Sequence, residues 1–556
     1  MSTPTSKNSA KITENIVSEI IAKNPTDEKT LMKINRAVTR RFDMAPLPKR
    51  IIAQHYDQMV KKGELASNQH LSRLLKVRAV RTLSGVAPIT VLTKPFPCPG
   101  KCVYCPTEAG MPKSYLSNEP AAMRAKGLNF DPFQMVQRRL QALIDNGHSP
   151  EKIELLVLGG TWSSYPWDYQ KWFIKRCFEG ANYFEFTSRK KTIPKTKRSY
   201  TLTQAQKINE QAKYRVIGVT LETRPDWVTD KEVKRLRELG CTRVQLGAQI
   251  LDDEVLDLIK RGHHIHHLAT ATKKLRDNCF KFDYHFMPNL PGATIEKDIK
   301  TVELAFADER FKPDQIKLYP TIVNEFAELN EWYQDGRYKP YEHEKLVDLL
   351  LKLKTIVPYY CRINRLIRDI PGESIIAGNK VTNLRQLLEI EMKKRNLVCK
   401  CIRCREVRNT PLPVSPPLIR GGGRGGVYLF IDTYQANGGT EYFISYESKK
   451  RDLLYAFVRL RIPGKNPNVL FDELKNAALI RELHTYGALQ TIGTASQATQ
   501  HKGLGTKLMT KAESIAKKSR NLGINKMAVI AGIGVRDYYK TKLGYKLEGT
   551  YMTKKL

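Results

Sequence analysis

Three cysteines whose spacing suits metal chemistry are Cys98, Cys102 and Cys105, in the segment CPGKCVYC. Thiolates are the usual ligands of iron–sulfur clusters, and four irons held by only three thiolates leave one iron with an open coordination position. The amine and carboxylate of S-adenosylmethionine can chelate that iron, and an electron from the [4Fe-4S] cluster can then start radical chemistry that no side chain performs. A zinc site with a distant fourth ligand is the alternative. The spacing, the position after a predicted strand and the neighbouring Tyr104 favour the iron–sulfur interpretation.

The ends of two later predicted strands carry residues for the same cofactor. Gly159 and Gly160 let the backbone approach a ligand closely. Thr161 stands where radical SAM enzymes have the acid of a GGE-like motif, although a glycine pair alone usually marks only a turn. We interpret Glu222, in ETRPD, as a contact of the ribose or carboxylate of S-adenosylmethionine. A buried structural ion pair explains Glu222 and Arg224 equally well.

A second cofactor motif lies near the C-terminus, where Gln500, Gly503 and Gly505 form Q-x-x-G-x-G before a predicted helix. Backbone N–H groups at a glycine-rich helix start bind phosphate, and acyl-CoA presents a pyrophosphate. Rossmann folds use similar loops, but the strand, helix and strand that follow have the order of a GNAT acetyltransferase. Tyr539 is placed to reach a CoA thiolate or thioester, whereas core packing must explain one of Tyr538 and Tyr539.

The elements that position these residues alternate between strand and helix from about residue 86 to 325. Six predicted strands, several of them continuous apolar runs, indicate an α/β fold with a parallel sheet, open or curved into a partial barrel. They are VAPITVLTK, IELLVLGGT, VIGVTLETR, RVQLGAQI, KFDYHFMPNL and QIKLYPTI. In such folds, chemistry gathers at the carboxyl ends of the strands, where GGT, ETRPD and MPNLPG lie.

The composition limits the class of protein. The chain has 556 residues with 93 Lys and Arg against 56 Asp and Glu, a net charge of +37. This charge indicates a polyanionic partner, and nucleic acid is favoured over an anionic membrane surface. The 41% of apolar residues excludes a wholly disordered chain. No apolar run suits a membrane span, and the N-terminal segment lacks the apolar region of a secretory signal.

The ten cysteines indicate a reducing compartment, and we expect the protein to be cytoplasmic. A second group, Cys399, Cys401 and Cys404, has the close spacing of a metal site.

The predicted domains are a basic helical region at 1–80, a barrel domain at 81–390, a metal-binding segment and Pro/Gly-rich flexible linker at 391–440, and a second α/β domain at 441–556. The basic segment 184–200 is expected to form a loop that contacts RNA.

Many motifs in one order make the chain similar, over about residues 30–556, to the catalytic subunit family of Elongator. The motifs are CPGKCVYCP, MRAKG, LGGTW, ETRPD, CTRVQLGAQ, RGHH, MPNLPGAT, KLYPT, ANGGTEYFISYE, RELHTYG and QHKGLG. The resemblance implies a radical SAM domain followed by a GNAT domain. It also implies a tRNA uridine(34) acetyltransferase, an acyltransferase that makes 5-carboxymethyluridine at the wobble position of tRNA.

The resemblance further implies the ligands. The [4Fe-4S] cluster falls on Cys98, Cys102 and Cys105, and a zinc ion, predicted to be structural, falls on Cys399, Cys401 and Cys404, with an unidentified fourth ligand. The acetyl-CoA contacts fall on Lys152, Glu482, Leu483, His484, Thr485, Leu504, Gly505, Thr506, Lys507 and Tyr539. Lys152 and Tyr539 are taken as catalytic. Lys152 alone would be a surface lysine, and if it contacts acetyl-CoA, that ligand bridges both domains.

The implied mechanism has a 5′-deoxyadenosyl radical abstract hydrogen from the acetyl methyl, after which the carbon radical adds at C5 of the wobble uridine and the thioester is hydrolysed. We therefore expect both cofactor sites to face one flipped base. An electron donor is required, and a homo-oligomer is an open alternative to a monomer.

Two alternative classes of protein are a protein lysine acetyltransferase with a structural cluster and a non-catalytic tRNA-binding module. The stretch NTPLPVSPPLIRGGGRGG departs from the family's usual sequence.

Overall fold

The computed structural model describes residues 6–76, 85–189, 192–195, 198–407, 426–487 and 503–556. Its helices are α1 Ser6–Lys23, α2 Glu28–Arg40, α3 Lys49–Lys62, α4 Gln69–Leu75, α5 Pro120–Lys126, α6 Pro132–Asp145, α7 Trp167–Asn182, α8 Phe184–Thr187, α9 Leu202–Asn209, α10 Asp230–Glu238, α11 Asp253–Leu258, α12 Ile265–Asp277, α13 Ile295–Ala307, α14 Leu329–Gln334, α15 His343–Ile356, α16 Leu384–Lys394, α17 Ile402–Arg405, α18 Leu504–Lys518 and α19 Arg536–Leu543. Its strands are β1 Ala87–Leu92, β2 Lys152–Leu158, β3 Arg215–Thr223, β4 Arg243–Gln249, β5 Lys281–Phe286, β6 Gln315–Leu318, β7 Arg362–Arg365, β8 Val427–Ala436, β9 Gly439–Ser448, β10 Leu454–Ile462, β11 Ala477–Thr485, β12 Lys526–Val529, β13 Lys546–Glu548 and β14 Tyr551–Lys555.

The four N-terminal helices pack around an apolar core of their own. Ile16, Leu31, Val38 and Ile52 are all buried in it. Asn35 is buried among them, donates to the Leu47 carbonyl at 2.8 Å and accepts from the Leu47 N–H, which fixes the turn after α2. Helices α1 and α2 are therefore amphipathic, and each contributes one apolar face to this core.

The first sheet contains seven parallel strands in the order β1 to β7. Consecutive parallel strands joined by helices, curved into an open half-barrel, confirm the predicted α/β partial barrel. The continuous apolar runs in the sequence predict strands that are apolar on both faces. The structure differs from this prediction. One face carries apolar side chains such as Leu155 and Val244, which join the core, and the other carries polar side chains such as Asp283 and Lys317.

The seventh strand was missed because it carries only one apolar residue, Ile363. Arg362 donates to Glu406 at 2.8 Å, and Asn364 donates to Asp283 at 2.7 Å. The polar residues of β7 are thus required by contacts that form only after folding. Strand propensity alone could not identify it.

The second sheet has the order β13-β14-β12-β11-β10-β9-β8. Its neighbours are antiparallel except for β11 and β12, which run parallel. Strand β8 begins at Val427, so this sheet starts within the segment predicted as metal site and linker. Most of the Pro/Gly-rich stretch, at 408–425, lies outside the described residues. No described helix combines the length and the apolar character needed to cross a membrane.

The two sheets meet across a network of buried charges. Four fully buried arginines lie there: Arg276, Arg459, Arg461 and Arg481. Each reaches a buried carboxylate, and Asp314 binds Arg481 through both of its oxygens, at 2.5 and 2.7 Å. Buried guanidinium groups require such partners, because the desolvation of an unpaired charge is costly. The network therefore fixes how the second sheet lies against the first.

Candidate functional site

The first cysteine group lies on the loop after β1, at the carboxyl ends of the parallel strands. Backbone hydrogen bonds anchor this loop, since the Val103 N–H donates to the Ile259 carbonyl at 3.2 Å. The Cys98 thiol lies 3.4 Å from the Thr161 hydroxyl. Gly100 is required here, because a Cβ at this position would lie 2.6 Å from Arg224 Nη1 and less than 4 Å from the sulfurs of Cys98 and Cys102. The glycine keeps open the cradle between the thiols.

Burial and charged neighbours shift the ionisation of these thiols. Burial opposes ionisation of Cys102, but Arg261, whose Nη1 donates to the sulfur at 3.4 Å, lowers the pKa of this thiol. Burial and the charge of Cys102 raise the pKa of Cys105 to about 12. The pKa values of the two thiols therefore shift in opposite directions, and a bound metal would supply the positive charge that stabilises both as thiolates. The donors and the open cradle therefore fit an iron–sulfur cluster. Arg261 belongs to the RGHH motif, but it lies distant from the cysteines in the chain, so its contact with Cys102 could not be predicted from the sequence.

The glycine pair after β2 adopts conformations that favour glycine. Gly159 and Gly160 have φ angles of 137° and 75°. A Cβ on Gly159 would lie 1.8 Å from the Thr93 hydroxyl. Thr161, which follows, contacts the cysteine loop. The backbone at 159–161 thus lies at the same edge as the thiols, where the sequence analysis assigned it to S-adenosylmethionine. Tyr104 is also buried there, and its hydroxyl has no hydrogen-bond partner among the described residues.

Glu222 does not pair with Arg224. Its Oε1 lies 3.1 Å from His285 Nδ1, and the Tyr115 hydroxyl donates to its other oxygen at 3.4 Å. Arg224 instead pairs with Asp226 at 2.9 Å. Burial opposes ionisation of Glu222, but its contact with His285 and the charges of Lys317 and Arg368 hold its pKa at about 2. Burial lowers the pKa of His285 itself, so the lysine and the arginine are the permanent cations here. A carboxylate therefore faces the interior of the half-barrel near the thiol-bearing edge.

Polar side chains continue along the interior from this edge. Lys317 donates to Gln245 at 2.8 Å, and Gln245 donates to Asp283 at 3.3 Å. Burial lowers the pKa of Lys317 to about 8. Two buried atoms, Asp283 Oδ1 and His285 Nε2, have no protein partner among the described residues. Since buried polar atoms are nearly always satisfied, these two atoms favour a ligand or water in the interior.

The amino ends of the same strands pack on β11. Lys281, the first residue of β5, donates to Glu482 at 2.7 Å, and Arg459 donates to the other oxygen at 2.9 Å. Lys152 begins β2 at this same end, and burial lowers its pKa. His484 stacks on Phe457 with ring centroids 5.9 Å apart. The structure thus brings Lys152 and β11, which are distant in sequence, to one end of the half-barrel.

The other face of β11 meets the start of α18. A Cβ on Gly505 would lie 3.7 Å from Thr485 and 3.9 Å from Leu483. Gly503 caps α18 with a φ of 72°, and Thr506 and Lys507 are exposed on its first turn. Gln500, which opens the predicted Q-x-x-G-x-G motif, lies outside the described residues. The free N–H groups of this helix start can bind an anion.

Of the two tyrosines, Tyr538 makes the contact with α18. Its hydroxyl would lie 3.1 Å from a Cβ on Gly505, and a hydrogen bond joins it to Thr506. Tyr539 is buried, and its ring centroid lies 5.5 Å from that of Tyr538 and 6.0 Å from that of Tyr545. Helical periodicity could not separate these adjacent residues, because both lie near the same helix turn. The role of Tyr539 at the thioester stays a prediction.

The sequence predicts that the cluster site and the acetyl-CoA site face one flipped base, but the structure places them apart. The thiols lie at the carboxyl ends of the strands, whereas β11 lies against the amino ends. A seven-residue strand such as β4 separates these ends by about 20 Å. The sites therefore do not face one common point directly. The buried polar side chains of β4, β5 and β6 described above lie in the interior between them.

The loop that contains MPNLPG is held by a buried acid. Asp298 of α13 accepts from the Asn289 N–H at 2.9 Å and from the Tyr341 hydroxyl at 3.2 Å. Asn289 itself has a positive φ of 66°. Burial raises the pKa of Asp298 from 3.8 to about 7. The folded protein therefore binds this proton more tightly than the unfolded chain does.

This pKa predicts a pH dependence of stability. The contribution of Asp298 is fully present below about pH 4 and is lost as the pH rises to about 7. Asp298→Asn stays neutral, so we expect it to match the parent near pH 4 and to be more stable above pH 7. Thermal unfolding across this range measures the effect, with the exposed Asp335→Asn as control. Parallel curves for Asp298→Asn and the parent would contradict the assignment.

The second cysteine group is compact. The sulfurs of Cys399, Cys401 and Cys404 all lie within 4.8 Å of one another. The contact of Cys399 with Cys401 and Cys404 raises its pKa. For Cys401, burial opposes ionisation, but hydrogen bonds from Cys399 and Cys404 lower the pKa. The neighbouring thiols thus shift the pKa values of Cys399 and Cys401 in opposite directions. The close sulfur atoms fit a single metal ion, and zinc is suited to thiolate ligands.

Family models match two consecutive parts of the chain. The radical SAM superfamily matches residues 97–305, and the radical SAM C-terminal domain matches residues 313–394. The half-barrel of seven parallel strands and the cysteine group at its carboxyl edge agree with this match. Together these findings define a radical SAM enzyme, a class that uses S-adenosylmethionine and a [4Fe-4S] cluster.

Relatives define the family within that class. The chain is 41% identical over 493 residues to the tRNA uridine(34) acetyltransferase of Methanocaldococcus jannaschii, covering 87% of each chain. It is 34% identical over 502 residues to Elongator complex protein 3 of Homo sapiens, covering 87% of this chain and 86% of the other. The solved archaeal Elp3 of Methanocaldococcus infernus, with residues 1–46 deleted, matches with a TM-score of 0.71 and 37% identity, covering 85% of this chain and 100% of that one. The chain belongs to the family of the Elongator catalytic subunit.

Proposed function

We propose that this protein is a tRNA uridine(34) acetyltransferase-type enzyme that forms 5-carboxymethyluridine at the wobble position from acetyl-CoA. The observation that supports the proposal is the set of buried polar side chains inside the half-barrel, which lie between the edge that carries the thiols and the end that packs on β11. The printed names of the relatives supply the substrate, uridine 34 of tRNA. The net charge of +37 suits a polyanion of this kind.

At the carboxyl edge, Cys98, Cys102 and Cys105 would hold the cluster. When cluster and S-adenosylmethionine are bound, they supply the radical chemistry that side chains lack. The chain's own contribution is electrostatic and steric. Arg261 stabilises the Cys102 thiolate, and the ionised Glu222 offers an acceptor to a ribose hydroxyl. Both lie in a buried interior, where a reactive radical is kept from water.

At the amino ends, β11 and α18 would hold acetyl-CoA. The N–H groups at the start of α18 suit the pyrophosphate, and residues 482–485 of β11 suit the pantetheine arm. Lys152 reaches this end from the barrel domain, so the ligand would contact both domains. Glu482 is held by Lys281 and Arg459 and thus orients β11 toward the interior. Reaction between the ends requires passage of the acetyl group or the uridine through the polar interior.

Acetyl-CoA turnover tests this proposal against its strongest rival, a protein lysine acetyltransferase. CoA release by the cluster-loaded enzyme is measured with unmodified tRNA, with the same tRNA carrying cytidine at position 34, and with a lysine peptide. We expect the unmodified tRNA alone to stimulate CoA release. Stimulation by the peptide and not by tRNA would contradict the proposal and support protein acetylation. No turnover with any substrate, despite tight tRNA binding, would support a non-catalytic binding module.

A further inference from the structure

A buried cation without a partner lies beside the second cysteine group. Lys354, in α15, has a side chain with 0% relative exposure. Among the described residues, its Nζ has no hydrogen-bond partner. Isolation of an ammonium group from both water and anions is strongly unfavourable. The cost is removed when a bound group supplies negative charge.

Lys354 and the cysteines line the same cavity. This cavity, of about 560 Å³, is bordered by Lys354, Cys399, Cys404 and Glu406 among others. The carboxylate of Glu406 is already engaged with Arg362 at 2.8 Å. Glu389 also lines the cavity, but it is partly exposed and accepts no hydrogen bond from the Lys354 ammonium group. The cysteine group, once its thiols are ionised, supplies further negative charge at this location.

The charge of the centre follows from its ligands. A divalent cation bound by three thiolates carries a net charge of −1, and a fourth ligand that is water or imidazole leaves this unchanged. The segments outside the described residues contain no Cys, Asp or Glu, and His501 is their only histidine. They therefore cannot add a further negative side chain. An anionic centre and an unpartnered cation thus share one cavity.

We propose that Lys354 is the counter-cation of a zinc centre formed by Cys399, Cys401 and Cys404. The ammonium group stabilises the anionic centre, and the centre in turn stabilises the buried ammonium group. Lys354 is a positioning residue for the metal and does not depend on the tRNA activity proposed above. Without metal, the charge of Lys354 destabilises the fold.

Lys354→Met tests this coupling, with Lys352→Met as the matched control, because Lys352 is exposed on the same helix. Zinc affinity of the cluster-loaded full chain is measured by competition with a chromophoric chelator. We expect Lys354→Met to bind zinc about tenfold more weakly, the range typical of residues that support metal ligands. We expect Lys352→Met to bind within about twofold of the parent. Equal affinities for Lys354→Met and the parent would overturn the proposal.

Unfolding temperatures provide a readout that packing alone would not move in the same way. In the presence of chelator, Lys354→Met should be at least as stable as the parent, since it removes an unpaired buried charge. With zinc, it should gain less stability than the parent does. A variant that is equally destabilised with and without zinc would show a packing role and contradict the proposal.

A second background keeps the test decisive if Lys354→Met folds poorly. Cys404→Ser reduces the centre to two thiolates and a net charge near zero, so its need for a counter-cation disappears. Zinc affinities are then compared for Cys404→Ser with and without Lys354→Gln. We expect the loss caused by Lys354→Gln to be at least fivefold smaller in the Cys404→Ser background than in the parent. Equal losses in both backgrounds would contradict a charge interaction.

Discussion

Replacement of Cys102 by serine is expected to abolish formation of the modified uridine while leaving tRNA binding intact. Cys102 is the thiol that Arg261 contacts at 3.4 Å, and it lies buried at the carboxyl edge of the half-barrel. A serine hydroxyl is a poor iron ligand, so the cluster would be lost or incomplete. Without the cluster no radical forms, and we expect a loss of more than about 10³-fold, because no side chain replaces this chemistry.

Mass analysis of tRNA nucleosides after anaerobic incubation measures this loss, and filter binding measures tRNA affinity. Cys177→Ala is the matched control, since Cys177 is a buried cysteine in α7 at a distance from the thiol loop. It should retain most activity. Full product formation by Cys102→Ser under anaerobic conditions would refute radical chemistry at this site. Loss of tRNA binding as well would indicate a folding defect in place of a cofactor defect.

The second large effect concerns the interface between the sheets. Asp314→Asn should destabilise the protein by about 3–5 kcal/mol, the range for breaking a buried ion pair on one side. Asp314 is fully buried, binds Arg481 at 2.5 Å and lies 3.6 Å from Arg459 Nη1. The neutral amide would leave both guanidinium groups short of negative charge.

Chemical unfolding near neutral pH measures the destabilisation of Asp314→Asn, with Asp168→Asn as a surface control, because the Asp168 side chain is 94% exposed. Burial opposes ionisation of Asp314, but Arg481 and Arg459 lower its pKa. Its contribution is therefore present above about pH 4 and is lost as the pH falls through the lowered pKa. The variant and the parent should thus converge in acid. A loss below about 1 kcal/mol at neutral pH would show that the network contributes little to the interface.

The parallel half-barrel could be predicted because six of its strands are apolar runs separated by helical segments. The spacing of Cys98, Cys102 and Cys105 likewise indicates an iron–sulfur cluster from the sequence alone. The polar interior could not be predicted in this way. Gln245, Asp283 and Lys317 stand among apolar neighbours along their strands, and only the register of adjacent strands brings them together.

Tertiary contacts of other residues could likewise not be predicted. Arg261 reaches Cys102 across a long sequence separation, and Lys354 reaches the second cysteine cavity from a helix whose pattern indicates only a packed face. Tyr538 rather than Tyr539 contacts the start of α18, since small rotations of a helix decide which neighbour faces out. The two sites lie at opposite ends of the barrel because β11 packs against the amino ends of the parallel strands. This packing is a tertiary contact, and no local sequence pattern predicts it.

The most direct test follows the acetyl carbons into tRNA. Cluster-loaded enzyme is incubated anaerobically with S-adenosylmethionine, a reductant, tRNA carrying unmodified uridine 34 and acetyl-CoA labelled with ¹³C in both acetyl carbons. We predict that nucleoside mass analysis finds 5-carboxymethyluridine carrying both labelled carbons, together with one 5′-deoxyadenosine for each product. An unlabelled product, or labelled acetyl groups on lysine side chains with uridine unchanged, would contradict the account.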